Sequence, residues 1–218
     1  MESENPSGAD NQQGSPPDGI LQSGVTPQRL HAELLAASAI GLEAYLQGAL
    51  RDATFSARHG THRFGQSNRE WLQVIADSLA ILGHRSWIYR EGSSRIFWIL
   101  ETSAKFLSLQ YDPVPLVGSP FGCFYVRGYF DADGGMPREP SDRLYFQICQ
   151  RDKKSLEGVV ALLDTEGILC GRIHNPSRGV DPEYWRFFVR TASHQMFMER
   201  VNSWHPIKRQ LMQRRMKI

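Results

Sequence analysis

The amino-acid sequence predicts an α+β fold of two similar halves, each reading helix, strand, helix, strand pair, helix. Three observations predict it. The first is an internal repeat: Gln66 to Gly83 and Gln150 to Gly167 both span 17 positions, and Leu72, Ile75 and Leu79 in the first recur as Leu156, Val159 and Leu163 in the second. Chance similarity would not hold that register, so the same helical face is used twice. The second is a pair of alternating segments, Thr61 to Gln66 and Arg143 to Gln150, each ending at its anchor glutamine. The third is an apolar, helix-like run, Tyr125 to Gly135, that ends in acid and glycine, with a weaker echo at Tyr45 to Phe55.

In chain order, residues 1 to 26 are rich in Pro, Gly, Gln and Ser and predict a disordered tail, because they carry too little apolar surface to offset ordering. From Thr26-Pro27 the pattern turns helical through Leu30, Leu34, Leu35, Ile40, Leu42, Leu46, Ala49 and Leu50. After Gly83 come predicted strands Ser86 to Arg90 and Arg95 to Leu100; after Gly167 come Ile168 to His174 and Trp185 to Arg190. The Pro-rich stretch within 112 to 122 predicts a linker, so the halves are 27 to 111 and 123 to 218, the second with a basic end.

Tyr125, Val126, Tyr129 and Phe130 recur at helical spacing and predict a buried face, with Gly128 allowing close approach of another backbone. Gly134 and Gly135 stop the helix. Carboxylates in a last turn face the negative end of the macrodipole, so Asp131 and Asp133 are poorly placed for stability alone. A nearby cation would reverse that sign. A calcium loop starting at Asp131 fails, since it would put Met136 where the obligatory glycine belongs.

Val126 to Gly134 reads V-R-G-Y-F-D-A-D-G and resembles the motif that names the LAGLIDADG homing endonucleases, matching five of nine letters including D-A-D-G. Together with the repeat, the likeness covers about residues 38 to 218 and implies the single-chain, two-motif form of that family, with two pseudo-symmetric αββαββα halves and saddle-shaped antiparallel sheets. The resemblance also implies a strand directly after each motif helix, although Pro137 and Pro140 leave little room for the second. It implies that Asp133, and Asp52 from the degenerate first motif, ligate Mg²⁺ or another divalent cation, with Gln150 and Gln66 near the catalytic water and Lys154 and Lys105 near the scissile phosphates. Two alignments of the first motif are open. Aligned without a gap from Gly48 to Gly128, Ala53 falls opposite Asp133; a one-residue deletion instead puts Asp52 there.

On the strand Arg143 to Gln150, Leu144, Phe146 and Ile148 would face helices, and Arg143, Tyr145 and Gln147 the other way. Such a face suits a DNA major groove, where Arg reads guanine and Gln reads adenine. Arg63 is the equivalent position in the first half; Arg85, Tyr89, Arg95, Arg172, His174, Arg186 and Arg190 extend the set. Lys208, Arg209, Arg214, Arg215 and Lys217 are expected to touch phosphates. Beyond the acidic tail, 25 basic residues stand against 19 of the 23 acidic ones, which suits a phosphate-rich partner.

No long apolar run suggests a membrane span, and three cysteines without C-x-x-C spacing argue against a zinc site and fit a reducing, cytoplasmic or nucleoid-associated location. His59 and His62 lack a third ligand nearby. The expectation is therefore a monomeric, Mg²⁺-dependent endonuclease acting on double-stranded DNA. The alternatives are a regulatory DNA-binding protein derived from such a nuclease and an RNA-binding maturase.

Overall fold

The computed structural model describes residues 27–92, 96–139 and 141–216; the expected N-terminal tail, Arg95, Pro140 and Lys217 lie outside them. Among the described residues the first half opens with α1 (Pro27–Ala36) and α2 (Ala39–Ala49), the latter capped by Ser38, whose hydroxyl accepts from Gly41 N at 3.1 Å. A 3₁₀ turn (Leu50–Asp52) follows, then β1 (Ala53–Ser56), β2 (Thr61–Gln66), α3 (Arg69–Ile81), β3 (Ser86–Arg90) and β4 (Trp98–Thr102). These strands form one antiparallel sheet in the order β1-β2-β4-β3.

The second half repeats the plan with α4 (Gly122–Asp133), β5 (Gly134–Gly135), β6 (Gln147–Gln150), α5 (Lys153–Thr165) and β7 (Trp185–Phe188), giving a sheet β5-β6-β7. The chain ends in α6 (His194–Met196), which continues as a π-helical turn (Phe197–Val201), and α7 (Pro206–Met216).

The repeat anchors are local punctuation. Asn68 and Asp152 cap α3 and α5 through their side-chain oxygens. Gly83 (φ 79°) and Gly167 (φ 72°) take the left-handed turn that ends each helix, and the next residue donates back to Leu79 O or Leu163 O. Trp98 and Trp185, at matching strand starts, lie under Arg69 and Lys153, each cation 5.4 Å from the ring centre.

Some predicted strands are shorter. The segment 143 to 150 is a regular strand only from Gln147, although Phe146 O still accepts from Val189 N at 2.9 Å, 95 to 100 shifts to Trp98–Thr102, and 168 to 174 is reduced to isolated bridges at Cys170 and His174. Alternation of side chains is blind to whether a partner strand is within reach, and β5, two residues long, leaves residues 143 to 146 without a regular partner. Among the described residues the first half also lacks its predicted closing helix; between β4 and α4 there is only a 3₁₀ turn, Val114–Leu116, within the predicted linker.

Each sheet packs its inner face on its own helices. Phe64, Leu72, Ile75, Leu79 and Leu100 build one core, and Phe146, Ile148, Leu156, Val159, Leu163 and Phe187 the other. Between the cores run α2 and α4. A Cβ on Gly48 would stand 2.0 Å from Tyr125 O, and one on Gly128 the same distance from Tyr45 O, so the two glycines let the helix backbones touch reciprocally. Trp204, from the C-terminal segment, crosses back into the first core.

Candidate functional site

The helix pair brings its two acidic ends together at the starts of the two sheets. Asp52 ends the 3₁₀ turn that follows α2, Asp133 ends α4, and the next residue in each case begins a strand, Ala53 opposite Phe64 and Gly134 opposite Ile148. The glutamine at the end of the neighbouring strand then reaches each acid: Gln150 Nε2 donates to Asp133 Oδ2 at 2.8 Å, and Gln66 Nε2 donates to Asp52 Oδ2. Asp52 is therefore the counterpart of Asp133, although Gly48, the counterpart of Gly128 at the helix contact, lies four residues before it rather than five.

Helix geometry explains how the missing residue is absorbed. Five α-helical steps turn about 500° and rise about 7.5 Å, and four would reach only about 400° and 6 Å. With the last three steps in 3₁₀ geometry, four steps reach about 460° and 7.5 Å, so Asp52 arrives at the right height and about 40° short. Of the two alignments, the structure takes the one with the deletion.

Both acids are half-buried, and burial is the main reason their carboxyls titrate high: Asp52 is pushed up to about 7, helped by the charge of Asp133, and Asp133 to about 6. Two carboxylates that repel each other in a partly dry site are short of positive charge. A cleft of about 250 Å³ lined by Arg51, Ala53, Gln150 and Arg151 opens beside them.

The third motif acid does something else. Asp131 is 1 % exposed, and its oxygens accept from Tyr45 Oη at 3.0 Å, Trp204 N at 2.9 Å, His205 N at 3.0 Å and Ser203 Oγ. Burial, the largest influence, pushes its pKa up against the pull of Lys208, Ser203, Trp204 and Tyr45. Asp131 thus straps residues 203 to 205 onto the helix pair. Arg127 secures the same strap, with Nε donating to Val201 O at 2.5 Å and the guanidinium 4.6 Å from the Trp204 ring centre.

The predicted basic residues divide. Lys208 and Arg209, expected to touch phosphates, are engaged within the fold instead: Lys208 Nζ donates to Phe130 O at 2.6 Å and Asp131 O at 2.8 Å, and Arg209, 4 % exposed, makes a two-pronged bridge to Glu33. They sit on successive positions of α7, and the strap turns that helix inward. Arg215 donates to Asp142 O at 2.8 Å and to Glu139 O at 2.5 Å. Lys105, on the loop after β4, and Lys154, in the first turn of α5, are exposed. The cations that Asp133 feels are Lys208 and Arg51 instead. Sequence alone pointed to neither, and the electrostatic cost of acids at a helix end was the one signal for a cation there.

The outer sheet faces differ in charge. On the first, Arg63 is held by Glu101 at 3.0 Å, Glu91 at 3.2 Å and Tyr89 Oη at 3.1 Å, with Trp87 exposed nearby. On the second, Gln147 and Arg186 lie on the outer side of β6 and β7, while Tyr145 packs 6.1 Å from Phe188 between ring centres and His174 stacks on the same ring. Arg143, Arg172 and Arg190 are exposed, and among the described residues no ion pair engages Arg143, Arg172, Arg186 or Arg190.

The fold these elements define is that of the LAGLIDADG endonucleases, α+β with antiparallel sheets carried on paired motif helices. The solved structures it resembles include I-DmoI in complex with DNA and Mn (TM-score 0.58, 15 % identity, covering 76 % of this chain and 98 % of that one). They also include the N-terminal LAGLIDADG domain of DUF199/WhiA (TM-score 0.59, 16 % identity, 79 % and 87 %). Full-length DUF199/WhiA from Thermatoga maritima matches with TM-score 0.58 at 16 % identity over 86 % of this chain, which spans 66 % of that one. No family model and no curated protein matches the sequence.

Residues Asp52 and Asp133 fit a divalent ion. They offer hard carboxylate oxygens, each oriented by a carboxamide, where burial keeps both carboxyls titrating high even with Lys208 acting on them. Among the described residues no group of three His, Cys, Asp or Glu side chains could hold a metal by itself, so further ligands would come from water and substrate.

Proposed function

We propose that this chain is a sequence-specific, double-stranded DNA endonuclease that acts as a monomer, hydrolysing phosphodiesters with Mg²⁺ or a similar cation. The observation that carries the reading is the matched pair of acid and glutamine, Asp52 with Gln66 and Asp133 with Gln150, assembled where the two halves meet. Under this reading Asp52 and Asp133 hold the ion, and Gln66 and Gln150 orient the carboxylates and share contact with the attacking water. The bound ion would supply a polarised water and stabilise charge on the leaving oxygen. Support from likeness is at the level of fold: I-DmoI has been solved with DNA and Mn, and with DNA and Ca. Duplex contacts fall to the outer sheet faces, with Arg172, Arg186, Arg143, Arg190, Gln147 and Tyr145 as the main set.

The test is selection of a bound site from random duplexes, followed by cleavage of that site in Mg²⁺. Wild type is expected to cut, and Asp52→Asn and Asp133→Asn to lose at least about a hundredfold in rate while keeping affinity, because the carboxylates act through the ion. A selected site that is bound tightly but left intact by wild type would favour a regulatory DNA-binding protein instead. Failure to select any duplex would bring the RNA-binding reading forward.

A further inference from the structure

The end of α4 carries two acids, Asp131 and Asp133, against the unfavourable end of the helix dipole. The chain answers with a cation delivered from 75 residues further along. Lys208 Nζ donates to Phe130 O at 2.6 Å and Asp131 O at 2.8 Å, two carbonyls of the last turn, and lies 5.0 Å from the Phe130 ring centre. Its place is set by the strap, whose Trp204 and His205 amides are fastened to the Asp131 carboxylate, and by Arg209, the next residue of α7, locked to Glu33. The ammonium interacts most with Asp131, then with Asp133, then with Asp52. The other nearby cation, Arg51, is occupied with Tyr111 O at 3.3 Å, Tyr125 Oη at 3.2 Å and the face of Tyr129.

Resting on the reading of Asp52 and Asp133 as metal ligands, we propose that Lys208 is a tethered cation of the carboxylate centre, against whose repulsion any divalent ion must bind. It is a positioning residue rather than a ligand. A fixed positive charge beside the acids keeps the helix ends stable without metal, and it weakens capture of a free ion. The negative phosphates of a bound duplex would offset that repulsion, so the centre would load its ion together with nucleic acid rather than before it.

The experiment is calorimetric titration of the full chain with Ca²⁺, with and without a short duplex, comparing wild type with Lys208→Met, Lys208→Gln and Lys208→Arg, and with Asp133→Asn as the control for the site. Loss of the charge in Lys208→Met or Lys208→Gln should tighten Ca²⁺ binding by about tenfold or more without duplex, and Lys208→Arg should behave as wild type. The glutamine variant keeps a donor for the two carbonyls, so it separates charge from hydrogen bonding if the methionine variant fails to fold. If wild type binds Ca²⁺ through Asp133 and Lys208→Gln, folded, binds it no more tightly, the tethered cation is refuted and the metal reading stands. If neither wild type nor Lys208→Gln shows Ca²⁺ binding that Asp133→Asn abolishes, with or without duplex, both fall. Binding that appears without duplex only in the charge-removed variants, while wild type needs the duplex, supports the proposal.

Discussion

Asp131 and Asp133 are two residues apart and have opposite lives. Asp131 is fully enclosed and satisfied by four donors, whereas Asp133 has one amide and a partly open position beside Asp52. Replacing Asp131 by Ala leaves two strap amides, a tyrosine hydroxyl and Lys208 without their anion. A loss of about 3–5 kcal/mol is expected, the scale for breaking a buried charged cluster, measurable by urea denaturation. The pair Asp52 and Asp133 makes the reverse prediction. In the fold, Asp52 and Asp133 titrate near 7 and 6 against an ordinary 3.8. The folded state therefore holds protons that the unfolded chain has released. Relative to high pH, these acids favour folding below about pH 4, and that advantage is lost as pH rises through the folded values. Asp52→Asn should raise the melting temperature at pH 8 in EDTA, with the gain shrinking as pH falls and vanishing only below about pH 4. A gain of the same size at both values would show that the Asp52 charge is not what is relieved.

At the scale of elements, the helix pair depends on two glycines and a tight turn. Gly48→Ala or Gly128→Ala puts a methyl about where a backbone oxygen of the partner helix stands, 2.0 Å away, and backbone cannot step aside as a flexible side chain would. Overpacking of this kind costs about 3 kcal/mol or more, a fall of roughly 6–12 °C in melting temperature for a chain of this size. A variant melting within a degree or two of wild type would mean that the helices can part without penalty. The 3₁₀ turn Leu50–Asp52 matters for a different reason. It restores the reach lost with one residue, so inserting a residue between Leu50 and Arg51 would rotate Asp52 away from Gln66 unless the turn relaxed to α-helix.

For the whole molecule, the two halves share a plan but not a surface. On the outer face of the first sheet Arg63 is already neutralised by Glu101 and Glu91, while the second presents arginines with no acidic partner among the described residues. Nucleic-acid affinity should therefore rest mainly on the second half. The double substitution Arg172→Ala and Arg186→Ala is expected to weaken duplex binding at least about tenfold and to lower the salt slope by about 2, as two phosphate contacts would. Arg63→Ala should change it less than about threefold. Fluorescence anisotropy across a salt series checks both, and an equal loss from Arg63→Ala would overturn the asymmetry. The C-terminal strap adds a second asymmetry, since Trp204 and Arg209 tie the end of the chain to the first core and to α1.

What was legible from the sequence was whatever is written locally or twice. The duplicated Leu72/Leu156 face, the Gln66 and Gln150 anchors and the Gly83 and Gly167 stops set two helices and their preceding strands, because periodicity, capping and positive φ are properties of short segments. The close approach at Gly128 was legible too, since a glycine in an apolar helical face has few other uses. Strand length was not, because pairing needs a partner that alternation cannot see. Neither was the fate of Asp52, which turned on whether three residues wound as 3₁₀ or α-helix. The largest misreading was the basic C-terminus: Lys208 and Arg209 look like surface charge in a polar helix, and only the strap through Asp131, seventy-odd residues earlier, turns them inward. Local sequence determines which segments can form and what each side chain can do. Which charges meet across the fold is decided by tertiary packing, where burial makes a single unpaired ion costlier than any local preference.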